Sequence, residues 1–300
     1  MGVGTVVVMR GWWQDLTDLL LPAECGGCGR PRTVLCAECR AALQGTAPRR
    51  VRPVPEPAGL PVVHAASAYR GAVRATLLAH KERGALTLAG PLGAALAGAV
   101  LAGLREAGPG AVVRSSVSGD GPVPVLLVPV PSSRRAVRAR GHDPARRIAL
   151  AAAAELRRAG TAARVAAVLR QRRPVADQSG LNSRQRLVNL TGALEVAAGG
   201  TRLLDAGRVV LVDDLMTTGA SLTDAARAVR AALADAQTGD GEVYARAAGE
   251  ATGERRTAET TAPARRTRLS RGMAVRSGVE DGICAAVVAA SPDSFEINWN

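Results

Sequence analysis

The segment Val209-Val210-Leu211-Val212-Asp213-Asp214-Leu215-Met216-Thr217-Thr218-Gly219-Ala220-Ser221 constrains the fold more than any other part of this 300-residue chain. Four consecutive aliphatic residues with no polar interruption describe a strand covered on both faces, and that demands parallel neighbours and helices on either side. Two acids close the strand and a short polar turn follows. Leu222, Ala226, Val229 and Leu233 then continue on one helical stripe that ends near Asp235. Open parallel sheets bind ligands beyond the carboxyl ends of their strands, so the acids stand where a ligand would.

The rest of the chain supplies partners for such a strand. Val62 to Ala68 reads as a strand, Arg70–Arg83 as a helix, and a second helix starts at about Pro91 with Leu92, Leu96, Val100 and Leu104 at helical spacing. Val123–Val130, bounded by Pro122 and Pro131, is a second apolar strand. The loop Ser132-Ser133-Arg134-Arg135 follows it, and Asp143-Pro144 supplies a cap and a first-turn proline for a helix to about Arg158. Val165–Leu169 and Arg208–Asp214 read as strands, 170–190 as an arginine-rich loop, and Cys284–Ala290 as a final strand. The expected class is α/β, a parallel sheet flanked by helices. The expected divisions are 1–43 (N-terminal helix and cysteine module), 44–61 (Pro/Arg-rich linker), 62–235 (main domain), 236–281 (mobile insertion) and 282–300 (final strand and tail). Gly84 to Leu104 is uncharged and long enough for a membrane span, but its glycines, Pro91 and alanines suit a buried core helix better, so no span is expected.

Four of the five cysteines form two C-x-x-C pairs, Cys25/Cys28 and Cys36/Cys39. That spacing suits a tetrahedral thiolate site for structural Zn²⁺, with an iron–sulfur cluster or redox disulfides as alternatives. Cys284, in an apolar run, reads as a core residue, and His64, His80 and His142 show no ligand spacing. The cysteine usage, and the lack of a signal-peptide pattern in 1–21, point to a cytoplasmic protein; Met9 is an alternative start.

A formal charge of +13, carried by arginine with Lys81 as the single lysine, calls for an anionic partner: nucleic acid, a phosphorylated metabolite or both. With 2% aromatic residues, rows of stacking rings are excluded as a means of holding single strands. The turn after the acids offers backbone N–H groups and hydroxyls at a helix N-terminus, which suits a phosphate monoester. The acids would repel that phosphate but accept hydrogen bonds from vicinal hydroxyls a short distance away. Together they make a ribose 5-phosphate grip.

That ordered combination resembles the phosphoribosyl-pyrophosphate signature of type I phosphoribosyltransferases. The resemblance extends over about 12 to 235. The two C-x-x-C pairs, Tyr69-Arg70-Gly71 leading to Lys81, Val128-Pro129-Val130-Pro131, Arg138-Ala139-Arg140-Gly141-His142-Asp143, Gln178-Ser179-Gly180-Leu181 and Arg186-Leu187-Val188-Asn189 occur in the order seen in ComF-family proteins. It implies a type I phosphoribosyltransferase fold with Asp213 and Asp214 as the catalytic acids on the ribose hydroxyls. Thr217, Thr218, Gly219, Ala220 and Ser221 would wrap the 5-phosphate, and Ser132, Ser133 and Arg134 would contact pyrophosphate. Lys81 would neutralise phosphate, and Mg²⁺ would accompany the donor. Arg170, Arg172, Arg173, Arg184 and Arg186 either close over pyrophosphate or form a solvated, nucleic-acid-facing loop. The family's link to competence implies a rival reading, a non-catalytic adaptor for single-stranded DNA or a DNA-uptake helicase. Departures from the family pattern are His142-Asp143, where Phe-Asn or a similar pair is common, and Glu82, where an aromatic is usual.

Overall fold

A computed structural model describes residues 24–108, 123–173, 190–250 and 282–295, with side chains beyond residue 236 of the long helix left out of the description. The described elements begin with α1 (Ala37–Gln44), β1 (Arg49–Val51), β2 (Val62–Ala68), α2 (Gly71–Glu82) and α3 (Ala89–Glu106). Next come β3 (Val125–Pro129), α4 (Arg134–Arg140), α5 (Pro144–Arg158), β4 (Ala163–Val165), β5 (Leu169–Gln171) and β6 (Leu194–Val196). The chain continues with α6 (Gly200–Leu204), β7 (Arg208–Met216), α7 (Ala220–Glu250) and β8 (Cys284–Ala290).

Six strands form one sheet in the order β1-β2-β8-β7-β3-β4, parallel except for β1. Val209, Val210, Leu211 and Val212 are all fully buried, and each such side chain removed from water is worth about 1.5–3 kcal/mol. The strand alternates between two cores. Val210 and Val212 join the cluster that contains α2, α3 and α5 residues, whereas Val209 and Leu211 join the one under α7. β8 lies between β2 and β7, so the last strand in sequence is central in space. Burial pushes the Cys284 thiol up to about 11, as a core residue requires.

Four expectations change. The linker 44–61 contains β1, which pairs antiparallel with β2, and Val51 and Leu60 are buried. Its prolines flank the strand, and composition concealed the three residues between them. Val165–Leu169 is not one strand: β4 ends at Val165, and after Ala166 donates to Leu127 O the chain leaves the sheet for the antiparallel β5–β6 hairpin. An apolar run carries no mark of where a strand changes partner. β7 continues through Asp213 and Asp214 to Met216, so the acids lie within the strand. Finally, α7 runs to Glu250, beyond Asp235 and into the expected insertion. The apolar stripe ends at Leu233, but backbone hydrogen bonding continues past it. Residues 251–281, 1–23 and 296–300 lie outside the described residues.

Among the described residues one segment, Leu86–Glu106, is long and apolar enough to cross a membrane by length and composition. It is built as a core helix instead. A Cβ on Gly93 would meet the Ala151 carbonyl carbon and the Ala152 nitrogen at 2.8 Å, so glycine is what lets α3 lie directly on α5.

Candidate functional site

Sheet register makes the site. β3 and β7 are parallel neighbours, with Pro129 opposite Val212, so the loops that follow them open side by side at the carboxyl edge. Ser132, Ser133 and Arg134 come from the first loop and the start of α4, and Asp213 to Ser221 from the end of β7, the turn after it and the start of α7. Val130 N donates to Val212 O at 2.9 Å and ties the two exits together.

In the first loop Ser133 caps α4, its hydroxyl accepting from Ala136 N at 3.1 Å, and Arg134 is exposed. Asp143 caps α5 through Arg146 N, as its position before Pro144 predicts. Its other oxygen accepts from Ser132 N at 3.2 Å, a tether across the loop that no local pattern announces.

In the second loop Asp214 is buried, with 6% of its surface exposed, and its Oδ2 is 3.0 Å from Lys81 Nζ. Its amide donates to Asp213 Oδ1 at 2.8 Å. Burial first, and then the neighbouring Asp214 charge, push the Asp213 carboxyl well above the usual carboxylate range, against the pull of Lys81. Burial alone would weaken the Lys81 ammonium, but the charges of Asp214 and Asp213 outweigh it and raise its pKa. The expected trio of Asp213, Asp214 and Lys81 is therefore one electrostatic unit.

Thr217 is exposed, Thr218 and Ser221 are half-buried, and Ala220 starts α7. Gly219 has φ +75°, a conformation that favours glycine. A Cβ there would stand 3.1 Å from Leu60 Cδ1 and 3.4 Å from Pro53 Cγ. Gly219 thus serves a further purpose, because the segment read as a linker lies against the back of the turn. Arg230 fastens that segment by donating to Gly59 O at 2.8 Å. A cavity of about 390 Å³ lies between it and α7, lined by Ala58, Gly59, Ala220, Thr223, Asp224 and Arg227 among others.

The described arginines on and just after β5 each approach a partner. Arg170 pairs with Glu195 at 2.9 Å, Arg172 approaches the same carboxylate at 3.9 Å, and Arg173 donates to Thr191 O at 3.1 Å. Arg184 and Arg186 lie outside the described residues. Sequence reading also missed Asp224, which is buried and accepts from Gly192 N at 2.8 Å, Leu194 N at 2.7 Å and Arg227 Nε at 2.7 Å. It fastens the β5–β6 hairpin to α7, and it lies off the apolar stripe, so local pattern gave no signal of its burial.

Cys25, Cys28, Cys36 and Cys39 come together with all four Sγ atoms within 4.8 Å of one another. Thiolates around one tetrahedral metal at 2.3 Å stand about 3.8 Å apart, and Cys28 Sγ and Cys36 Sγ are 3.7 Å apart. Four such sulfurs cannot all ionise without a cation, so the donor set fits a metal ion. Burial acts against the Cys25 thiolate, but amides of Cys36, Cys28 and Gly27 outweigh it and bring its pKa to about 6. A Cβ on Gly27 would meet Cys39 Sγ at 2.6 Å and Thr76 Oγ1 of α2 at 3.2 Å, so the knuckle is seated on the helix that carries Lys81. Ser67 Oγ donates to Leu43 O at 2.8 Å, and Gln44 Nε2 donates to Pro91 O at 2.8 Å.

Comparison of the chain with known protein families and with curated proteins finds no match.

Proposed function

We propose that the chain binds phosphoribosyl pyrophosphate with Mg²⁺ in a type I phosphoribosyltransferase-like domain of the ComF kind, and transfers the phosphoribosyl group to a nitrogenous base. One observation carries the reading: the loops after β3 and β7 share an edge, and the single lysine stands 3.0 Å from the second acid. In this reading Asp213 and Asp214 accept hydrogen bonds from the ribose hydroxyls. The amides and hydroxyls of Thr217 to Ser221 take the 5-phosphate, and Ser132 to Arg134 take the pyrophosphate. Mg²⁺ supplies charge neutralisation on the leaving pyrophosphate. The C1–O bond breaks with its electron pair going to pyrophosphate, and the acceptor nitrogen attacks the oxocarbenium-like carbon. The chain's work is positioning and charge stabilisation, so no side-chain nucleophile is needed. The four-cysteine cluster is read as a closed Zn²⁺ site that supports folding and has no open position for chemistry.

Calorimetry with phosphoribosyl pyrophosphate and Mg²⁺ tests the reading. Wild type binds, and Asp213→Asn with Asp214→Asn weakens binding by about 100-fold or more, as expected when two charged hydrogen-bond acceptors are lost. No binding to wild type, or equal binding by the double variant, overturns it.

Exposed Arg134, Arg135, Arg138, Arg146 and Arg147, on and beside α4, favour a second reading as an adaptor for single-stranded DNA or a helicase. DNA binding that falls steeply with salt and survives loss of both acids would support it. Binding indifferent to salt would remove it.

A further inference from the structure

At the C-terminal end of α2 three consecutive side chains meet three different elements. His80 packs against the ring of His142 on the corner between α4 and α5, with centroids 5.5 Å apart and planes at 60°. Lys81 pairs with Asp214 of β7. Glu82 pairs with Arg140 of α4 at 3.2 Å. Each imidazole Nδ1 stands against a backbone carbonyl, Ala85 O at 3.3 Å for His80 and Arg140 O at 3.1 Å for His142. Each Nε2 is buried without a hydrogen-bond partner. A buried polar atom left unsatisfied is costly, so two of them in one contact need a reason.

We propose that the His80–His142 contact is a positioning latch for Lys81: with the His80 ring neutral it holds the end of α2, and the ammonium it carries, against the loops after β3 and β7, and proton uptake by His80 opens it. Only the ligand-binding part of this proposal rests on the phosphoribosyl pyrophosphate reading.

The surroundings leave an imidazolium without a counter-ion. The groups around the pair are Lys81 and Glu82 on α2, Arg140 and Asp143 at the corner, and Asp213 and Asp214 on β7. Glu82 is committed to Arg140, Asp143 to the amides of Ser132 and Arg146, and Asp214 to Lys81. A new cation would therefore face an ammonium and a guanidinium whose partners are already engaged. Burial above all, helped by His142, holds His80 below its ordinary 6.5, against the Ala85 and Pro144 carbonyls and the Asp214 charge. The unfolded chain thus takes up this proton at higher pH than the native one. The contribution of the contact is complete above about 6.5 and is lost as pH falls below it.

The test compares wild type, His80→Phe and His142→Ala at pH 7.5 and 5.5. Two readouts are used: amide exchange across 77–83, corrected for its intrinsic pH dependence, and calorimetry with phosphoribosyl pyrophosphate and Mg²⁺. His80→Phe keeps a ring against His142 and removes the buried proton site, and comparison with it cancels protonation of the ligand itself. From pH 7.5 to 5.5 the wild type is expected to lose protection and affinity about five-fold more than His80→Phe. His142→Ala is expected to be poorly protected at both pH values. Equal losses in wild type and His80→Phe overturn the latch, as does wild-type protection in His142→Ala. Absence of donor binding at any pH defeats the functional reading instead, and the exchange comparison still decides the latch.

Discussion

The four-cysteine cluster and the acid pair both crowd like charges into a small space, and the fold treats them in opposite ways. The cysteines converge from one short segment, and the residues around them, Leu35, Leu43, Leu77 and Leu88, belong to the main core. A single ion in their centre would relieve that repulsion, so filling the site would return stability. Asp213 and Asp214 are adjacent in one strand and have one cation between them, Lys81, supplied from α2. Asp213 remains strained toward its protonated form. Crowding that one ion can balance within its own knuckle suits a role in folding, and crowding left partly unbalanced at an open sheet edge suits a ligand.

The largest expected effect tests the first half of that contrast. Removing the metal with a chelator, or Cys39→Ala, is expected to cost on the order of 3–5 kcal/mol, because loss of a structural metal is among the few changes that reach that size. Thermal unfolding should show a drop of about 10 °C, and metal analysis should give one ion per wild-type chain. An unchanged midpoint would erase the difference between the two regions.

Next in size is Asp213→Asn on stability. A carboxyl whose native pKa is raised is favoured protonated, so its native contribution is complete below its ordinary 3.8 and is lost as pH rises through the shifted value. The asparagine variant is therefore expected to melt above wild type at pH 7.5, the gap closing as pH is lowered toward 4, while it loses the ligand. A variant that melts below wild type at neutral pH would show that the acid pair is as well balanced as the cysteines.

The smallest effect sharpens the boundary of the acid site. Gly219→Ala forces a side chain into positive φ and against Leu60, and is expected to cost about 1 kcal/mol by chemical denaturation. Leu60→Ala in the same chain should recover part of that loss if the segment behind the turn is what resists the methyl group.

Much of this was legible in the chain itself. The unbroken apolar run of Val209–Val212 marked a doubly covered strand, Asp143-Pro144 marked the start of α5, and the C-x-x-C spacing brought the right four cysteines together. Local chemistry determines such features, so local reading finds them. The elements misread were those decided by distant partners. β1 is a strand because β2 lies beside it, and Val165–Leu169 divides because β3 and β6 claim its two ends. Asp224 and the His80–His142 contact left almost no trace, since each depends on groups from another element.

The amino-acid order alone therefore determined the α/β class, the cysteine knuckle and the polar turn after two acids, because each follows from spacing or from short-range hydrogen bonding. Only the tertiary structure decided that the chain's one lysine reaches Asp214, that the proline-rich segment backs Gly219, and that β8 enters the middle of the sheet. The physical reason is that a side chain's charge state and its neighbours are set by burial and by groups brought within a few ångströms through strand register and helix packing, and neither is encoded at any one position.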